Sequence, residues 1–321
     1  MNAHNSSRSL CARSGNHLTE EDACEPIDER LVDKSNVLTF VSVIVPVYND
    51  ARLALCLDAL AKQSYPAERF EVIVIDNGAT QTIVLSGVAV LHEPDPGSYG
   101  ARNRGILAAR GDVLAFTDAD CIPDQFWLEA GIERLQHKDA PDMIGGAIQL
   151  FPLNPERLTA AELFESVWGF PQRVFVEEMS FAATANLFVR RDVFNSVGLF
   201  NKRMMSGGDV EWGKRTHRFG MRMVYSDKAL VHHPSRRSLA ELIVKYRRTC
   251  GGKYQLRLMN REGHGAALAK LFRRPFVALY SENDLNFIRQ RLRYVGVEFL
   301  LSGVQLFELA RLTCGGKPRR R

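Results

Sequence analysis

Asp118 and Asp120 stand two residues apart, directly after the apolar run Val113–Phe116 and Thr117. In an extended segment residues i and i+2 point the same way, so both carboxylates can reach one divalent cation. Hard oxygen ligands of this kind suit Mg2+ or Mn2+, ions that also take phosphate oxygens from a substrate. The same two side chains are equally able to cap a helix that starts near Pro123. Other polar groups follow other apolar runs: Asn49-Asp50, Asp76-Asn77, and the pair His232-His233. Asp209 and Glu211 lie between, after Ser206-Gly207-Gly208.

Elements that could position these groups are visible around them. Phe40–Val47 is a near-continuous β-branched run, the pattern of a strand buried on both faces. Asp50–Gln63 carries Leu53, Leu57, Leu60 and Ala61 on one helical stripe. Glu71–Ile75 reads as a second buried strand, Val88–Leu91 as a short one and Asp112–Thr117 as a third strong one, with a helix across Tyr99–Arg110. Alternating strands and helices imply right-handed crossovers and a parallel sheet. In open sheets of this kind ligands bind beyond the carboxyl ends of the strands, where Asn49-Asp50, Asp76-Asn77 and Asp118-Ala119-Asp120 fall.

The signals thin out further on. Pro123–Gln136 reads as a helix with Pro123 near its first turn, Met143–Phe151 as a strand, Ala160–Val167 as a helix and Ala185–Arg190 as a strand. Helices are expected at Arg191–Val197 and at Asp209–Phe219, the latter closed by Gly220. Short strands at Met221–Tyr225 and Ala229–His232 follow, and Ser238 to Glu241 form a capping box that opens a basic helix.

Composition narrows the class. The chain has 321 residues, 45% of them hydrophobic and 25% charged, which excludes collagen-like and wholly disordered chains. The six cysteines are far apart and form no C-x-x-C pair, so a zinc ribbon or a disulfide framework is not expected and a reducing, cytoplasmic setting is. The polar residues 1–36 read as a disordered tail with no secretory signal. No apolar run reaches the roughly 18–20 residues that a spanning helix needs. The net charge of +5 is unevenly divided: residues 235–321 hold 19 basic and 6 acidic residues, a net of +13, and residues 1–234 a net of −8.

Four motifs, taken in order, resemble the family 2 glycosyltransferases: VSVIVPVYND, EVIVIDNG, GSYGARNRGILAARGDVLAFTDADC and SGGDVEW. The resemblance covers about Phe40 to Gly252 and implies a GT-A fold, a Rossmann-like, mostly parallel α/β sheet flanked by helices. It divides the chain into the tail 1–36, a catalytic domain 37–234 and a helical extension 235–321. It implies an enzyme that moves a sugar from a nucleoside-diphosphate sugar to a glycan, lipid-linked or other hydroxyl acceptor, with Mn2+ or Mg2+ and inversion. By resemblance Pro46, Asn49 and Asp50 form the first nucleotide loop, and Asp76 accepts from the base, unless it makes only an Asx-turn before Gly78. Gly100, Arg102 and Asn103 lie beside the nucleotide with Asp118, although Arg102 also suits a solvated helix face. Asp118 and Asp120 hold the metal, completed by His232 or His233. Asp209 is the general base, favoured over Glu211 in that role, unless it only caps the helix it opens, and Glu211 orients base or acceptor. Gly208 departs from the family pattern, where Glu often stands; a non-catalytic nucleotide-sugar-binding or scaffold protein of the same fold is the alternative that this departure leaves open.

The basic extension 235–321 fits peripheral attachment to an anionic membrane surface, on the cytoplasmic face, or plain packing on the catalytic domain. Lys245, Arg247 and Arg248 could neutralise a leaving diphosphate or face solvent. No nucleic-acid-binding signature appears, and a nucleotidyltransferase is disfavoured because PVYNDAR is not a triphosphate loop.

Overall fold

A computed structural model describes residues 38–78, 87–263 and 288–319. The tail 1–36 and the clusters Arg273-Arg274 and Arg320-Arg321 lie outside them.

The first half forms as the apolar runs dictate. β1 (Val41–Val47) is buried at every position and pairs in parallel with both β2 (Phe70–Asp76) and β4 (Val113–Thr117). β3 (Ala89–His92) extends the sheet beyond β2, also in parallel. Val47 stands opposite Asp76 in this register, so the loops after β1 and β2 open side by side. Helices α1 (Leu53–Ala61) and α2 (Ser98–Ala108) cover opposite faces. Gly105 of α2 is required by packing: a Cβ there would lie 2.7 Å from Ile44 and 2.8 Å from Ile75.

The second half reverses direction. β5 (Ile122–Pro123), α3 (Trp127–Gln136) and β6 (Met143–Phe151) lead to α4 (Ala160–Trp168), α5 (Gln172–Glu177) and β7 (Asn186–Arg190). α6 (Arg191–Val197), α7 (Gly208–Arg218), β8 (Met223–Pro234), α8 (Leu239–Met259) and α9 (Ile288–Thr313) complete the chain. The eight strands form one sheet ordered β3-β2-β1-β4-β7-β6-β8-β5. β7 runs antiparallel to both β4 and β6 while β6 and β8 run parallel, so the sheet is mixed, with three of its four parallel pairs in the first half.

Two local readings are corrected here, and one element without a sequence reading is added. Pro123 does not open a helix; Ile122 and Pro123 pair with His232 and Val231 of β8, and α3 starts only at Trp127. The two short strands expected after residue 220 are one strand, β8. A bulge passes from Gly146↔Ser226 to Ala147↔Leu230, and the exposed Asp227 and Lys228 that seemed to separate two strands sit in it. Asn186 holds that bulge, donating to the carbonyls of Ala147 and Ala229 (2.7 and 2.8 Å) while accepting from the Trp127 indole at 2.8 Å. The added element, α5, carries no strong sequence signal, yet its buried Gln172 ties down the 183–186 segment through the Ala183 N–H and the carbonyls of Ala183 and Asn186.

The C-terminal helices build a core of their own with α4. Leu242 of α8 and Tyr294, Val295, Val297 and Leu301 of α9 bury against Ala161, Leu163 and Phe164 of α4. Both expected helix starts carry reciprocal caps, Ser238 with Glu241 and Thr159 with Glu162. Beneath them Glu165, only 4% exposed, accepts from Arg236 at 3.0 Å and Lys245 at 2.8 Å. Among the described residues no helix is long and apolar enough to cross a membrane.

Candidate functional site

Beyond the carboxyl ends of β1 and β4, and closed by α7 and α8, lies a cavity of about 820 Å3. Of the residues singled out in the sequence, Pro46, Asp50, Arg102, Asp118, Asp120, Asp209 and His233 line it. Asn49, Asp76, Gly100, Asn103, Glu211 and His232 do not.

The two carboxylates of the D-x-D segment have different partners. Asp118 is paired with the guanidinium of Arg102, which is 3% exposed. Arg102 is therefore no solvated helix charge: α2 aims it through the body at the end of β4. Asp120 faces Arg52, at 3.3 Å, and Nε2 of His233, at 3.8 Å. Arg52 also binds Asp50 at 2.6 Å, so it bridges the loops after β1 and β4; the arginine follows Asp50 by two residues, a signal that was there to be read. Neither Asp118 nor Asp120 caps α3. The side chain of Asp124 takes the turn before it, accepting from the Phe126 N–H at 3.0 Å.

Strand alternation separates the two histidines. Along β8 the side chains of Ala229, Val231 and His233 are buried, and His233 alone joins Asp120 and Cys121 in a group whose possible ligand atoms lie within 4.8 Å of one another. His233 Nδ1 lies 2.9 Å from the Pro234 carbonyl. A carbonyl only accepts, so Nδ1 carries the hydrogen, which leaves Nε2 as the nitrogen on the Asp120 side. A carboxylate oxygen and an imidazole nitrogen too far apart to hydrogen-bond fit a shared Mn2+ or Mg2+. Cys121 fits less well: burial, with Asp120 and Asp118 adding to it, raises its thiol well above the ordinary range, and a neutral thiol is a poor partner for a hard cation.

Asp209 lies in the first turn of α7, which follows Gly207 in a left-handed conformation (φ 74°). Its Oδ1 accepts from the Val210 N–H at 2.9 Å and from the Tyr99 hydroxyl at 3.0 Å. Burial raises its pKa above the usual aspartate range, while the Val210 and Tyr99 donors and the Arg102 charge pull it down. Tyr99 fits because residue 208 is glycine: a Cβ there would lie 2.7 Å from the Tyr99 ring. The departure from the family pattern at Gly208 thus makes room for a donor to Asp209. Tyr99 was passed over in the sequence because an aromatic inside a glycine-rich loop signals packing as readily as chemistry.

Two expected site residues hold the fold instead. Asn103 clasps the backbone of Phe200 from both sides, at 2.8 and 3.0 Å. Glu211 is paired with Arg215 (2.9 Å), which also binds the carbonyls of Val197 and Leu199. Gly97, rather than Gly100, is where α2's entry demands glycine, with φ 136° and its N–H donating to Asn77 at 2.9 Å. Asp76 is buried at the end of β2, 3.4 Å from His92 Nδ1. The rest of the lining includes an apolar stretch silent in the sequence, Phe170, Phe175, Met179 and Phe181, with the Phe170 ring 5.8 Å from that of His233, and the cations Lys245 and Arg248 of α8. Gly252 of α8 packs so closely on the loop before α7 that a Cβ would stand 2.3 Å from the Ser206 carbonyl oxygen.

Comparison with known proteins shows what the chain is similar to. The sequence model described as glycosyl transferase family 2 matches residues 42–198. Glycosyltransferase AglE of Haloferax volcanii is 36% identical over 238 residues, 71% of this chain and 77% of its own length. Pre-mycofactocin glycosyltransferase of Mycobacterium tuberculosis is 29% identical over 221 residues, 64% of this chain and 45% of its own. The mannosyltransferase PcManGT of Pyrobaculum calidifontis, solved with GDP-Man and Mn2+, superposes with a TM-score of 0.51 at 17% identity, over 88% of this chain and 77% of that one.

Proposed function

The chain belongs to glycosyl transferase family 2, an enzyme of GT-A fold, and from that premise we propose that it transfers a sugar, with inversion, from a nucleoside-diphosphate sugar to a hydroxyl of a glycan or lipid-linked acceptor. The observation that carries this reading is one cavity lined by a part-buried carboxylate, Asp209, and also by Asp118, Asp120 and His233. A base and a phosphate-facing pole are the two things such a transfer requires.

In this reading the nucleotide lies over the first half of the sheet, along Pro46 and Asp50, with Asp76 toward the base and Arg102 holding Asp118 in place. Asp120 and His233, with Asp118 at the rim, would hold Mn2+ or Mg2+; the bound cation supplies charge neutralisation to the departing diphosphate. Asp209 accepts the proton of the acceptor hydroxyl as that oxygen bonds to the anomeric carbon, and the bond from that carbon to the phosphate oxygen breaks on the opposite face. A base so placed is typically worth about 10²–10⁴ in rate, and burial that raises its pKa strengthens it at neutral pH. Gly208 gives no support to a non-catalytic scaffold, since its space is filled by the ring that hydrogen-bonds the base. The +13 charge of residues 235–321 is consistent with work at the cytoplasmic face of a membrane.

The test is a thermal-shift screen of nucleoside-diphosphate sugars with and without Mn2+, beginning with the GDP and UDP series, followed by assay of nucleoside diphosphate release. At least one donor should stabilise the protein in a metal-dependent way and be turned over. If no donor shifts the melting curve with either metal and no nucleoside diphosphate is released, the assignment fails.

A further inference from the structure

Asp120, Cys121 and His233 bring three kinds of donor atom to one place: a carboxylate oxygen, a sulfur and an imidazole nitrogen, all within 4.8 Å of one another. The sheet explains why they meet. β5 pairs with β8 antiparallel, with Ile122 opposite His232 and Pro123 opposite Val231. One step further along that register Cys121 falls opposite His233, and directly opposed residues of an antiparallel pair carry their side chains on one face. A turn closed by the Cys121 N–H on the Asp118 carbonyl, at 3.0 Å, brings Asp120 in beside them.

The spacing matches a small tetrahedral ion. Cys121 Sγ lies 3.9 Å from Asp120 Oδ1, and His233 Nε2 lies 3.8 Å from Asp120 Oδ2. Zinc bonds of about 2.3 Å to sulfur and about 2.0–2.1 Å to nitrogen or oxygen put tetrahedral ligand atoms about 3.3–3.5 Å apart. Both separations therefore need to close by only a few tenths of an ångström. His233 is also held in the way of a metal-binding histidine, its other ring nitrogen, Nδ1, 2.9 Å from the Pro234 carbonyl. Asp120 and His233 line the cavity, which gives an ion a way in, and Cys121 is fully buried. Arg52, 3.3 Å from Asp120 Oδ2, is itself paired with Asp50 at 2.6 Å, which offsets its charge.

A sulfur donor separates metals by softness. Mg2+ and Mn2+ favour oxygen, whereas Zn2+ accepts sulfur, nitrogen and oxygen together and binds such mixed sites more tightly than Mn2+ does. A coordinating thiol gives up its proton, so each ion bound through Cys121 releases one proton to solvent.

We propose that Asp120, Cys121 and His233 form a zinc site, in which Zn2+ takes the Cys121 thiolate, the His233 imidazole and the Asp120 carboxylate and turns its fourth position toward the cavity. The proposal rests on the reading of Asp120 and His233 as metal ligands and goes beyond it by adding a sulfur ligand and a second class of metal. Zn2+ and Mn2+ then compete for the same two residues, and zinc inhibits transfer by occupying the pole that faces the diphosphate.

The experiment is titration of the reduced full chain with Co2+, an ion that enters zinc sites and reports a thiolate ligand by an intense near-ultraviolet charge-transfer band. The band should appear, and Zn2+ should bleach it. Cys121→Ser should lack the band and bind Zn2+ about tenfold or more weakly, at least what the loss of a supporting partner costs a metal site. Its Mn2+ affinity should change by no more than about twofold, since the hard ion makes little use of sulfur. His233→Ala should weaken both ions. Absence of the band in the unmutated chain, or an equal band in Cys121→Ser, overturns the proposal. So does a comparable loss of Mn2+ and Zn2+ in Cys121→Ser, which would make Cys121 a packing residue. Because the band is read without a sugar donor, a failed sugar-transfer assay would leave the result readable.

Discussion

Tyr99→Phe removes one oxygen atom, and the effect can be worked from the site. The hydroxyl donates to Asp209 Oδ1 at 3.0 Å and so favours the ionised base. A hydrogen bond to a charged group is worth about 1.5–3 kcal/mol, so its loss should raise the Asp209 pKa further. Burial already holds that pKa above the usual range. The base acts ionised, so activity rises with pH through its pKa, and the acid limb of the kcat/KM profile should move to higher pH in Tyr99→Phe while the high-pH plateau changes less. Gly208→Ala attacks the same contact from the other side. Its Cβ would lie 2.7 Å from the ring, and Tyr99, 5% exposed with Phe200 5.9 Å away, has little room to yield. That overpacking should cost about 1–3 kcal/mol of stability and shift the limb in the same direction. The assay is initial-rate nucleoside diphosphate release from pH 5 to 9. Superimposable limbs in the unmutated chain and Tyr99→Phe would refute the coupling of Tyr99 to the base.

Asp209→Asn should abolish transfer and leave donor binding intact. A carboxyl whose folded pKa is raised binds more protons folded than unfolded, so it subtracts stability as pH rises through that window. The amide removes this penalty, and its melting temperature at pH 8 should equal or exceed that of the unmutated chain; full activity in this variant would exclude Asp209 as base. Asp120→Ala and His233→Ala should each lose Mn2+-dependent nucleotide affinity in titration calorimetry while His232→Ala keeps it, and equal effects of the two histidines would contradict the strand alternation. Asn103→Ala should cost about 1–3 kcal/mol in denaturant unfolding, from the Phe200 N–H and carbonyl it leaves unpaired, with little change in donor KM. Glu165→Gln should destabilise by about 3–5 kcal/mol, because it strands Arg236 and Lys245. The Glu165 pKa is lowered by Lys245 and Arg236 against burial, so its contribution is present above the unfolded glutamate pKa and lost as pH falls through the folded one.

What the sequence made legible was what local pattern encodes. β1, β2 and β4 are apolar runs with polar ends, and parallel pairing of such runs places Asp50, Asp76 and Asp118 on one edge without further information. The D-x-D pair was singled out by the same pattern, whereas Asp209 was singled out only by the resemblance of SGGDVEW to the family motif. The choice between His232 and His233 depended on which face of β8 meets the core, and that was set by the bulge at Gly146 and by Asn186, 40 residues away. Arg102, Asn103 and Glu211 have the same local appearance as ligand-binding residues. Their partners Asp118, Phe200 and Arg215 are fixed by tertiary packing, and only that separates a clasp from a contact with substrate.

The Gly252 contact has a bearing on where this chain can be cut. A boundary at Ser235 looks natural in the charge distribution, where an acidic body gives way to a basic remainder. Yet α8 presses its backbone on the carbonyl of Ser206 and lends Leu256 to the cover of Gly207. The helix is a strut for the loop that leads into Asp209. Exchange of C-terminal segments between relatives, by recombination or by an engineer, would transplant the support of that loop along with the surface, so the placement of Asp209 should change with the segment rather than independently of it.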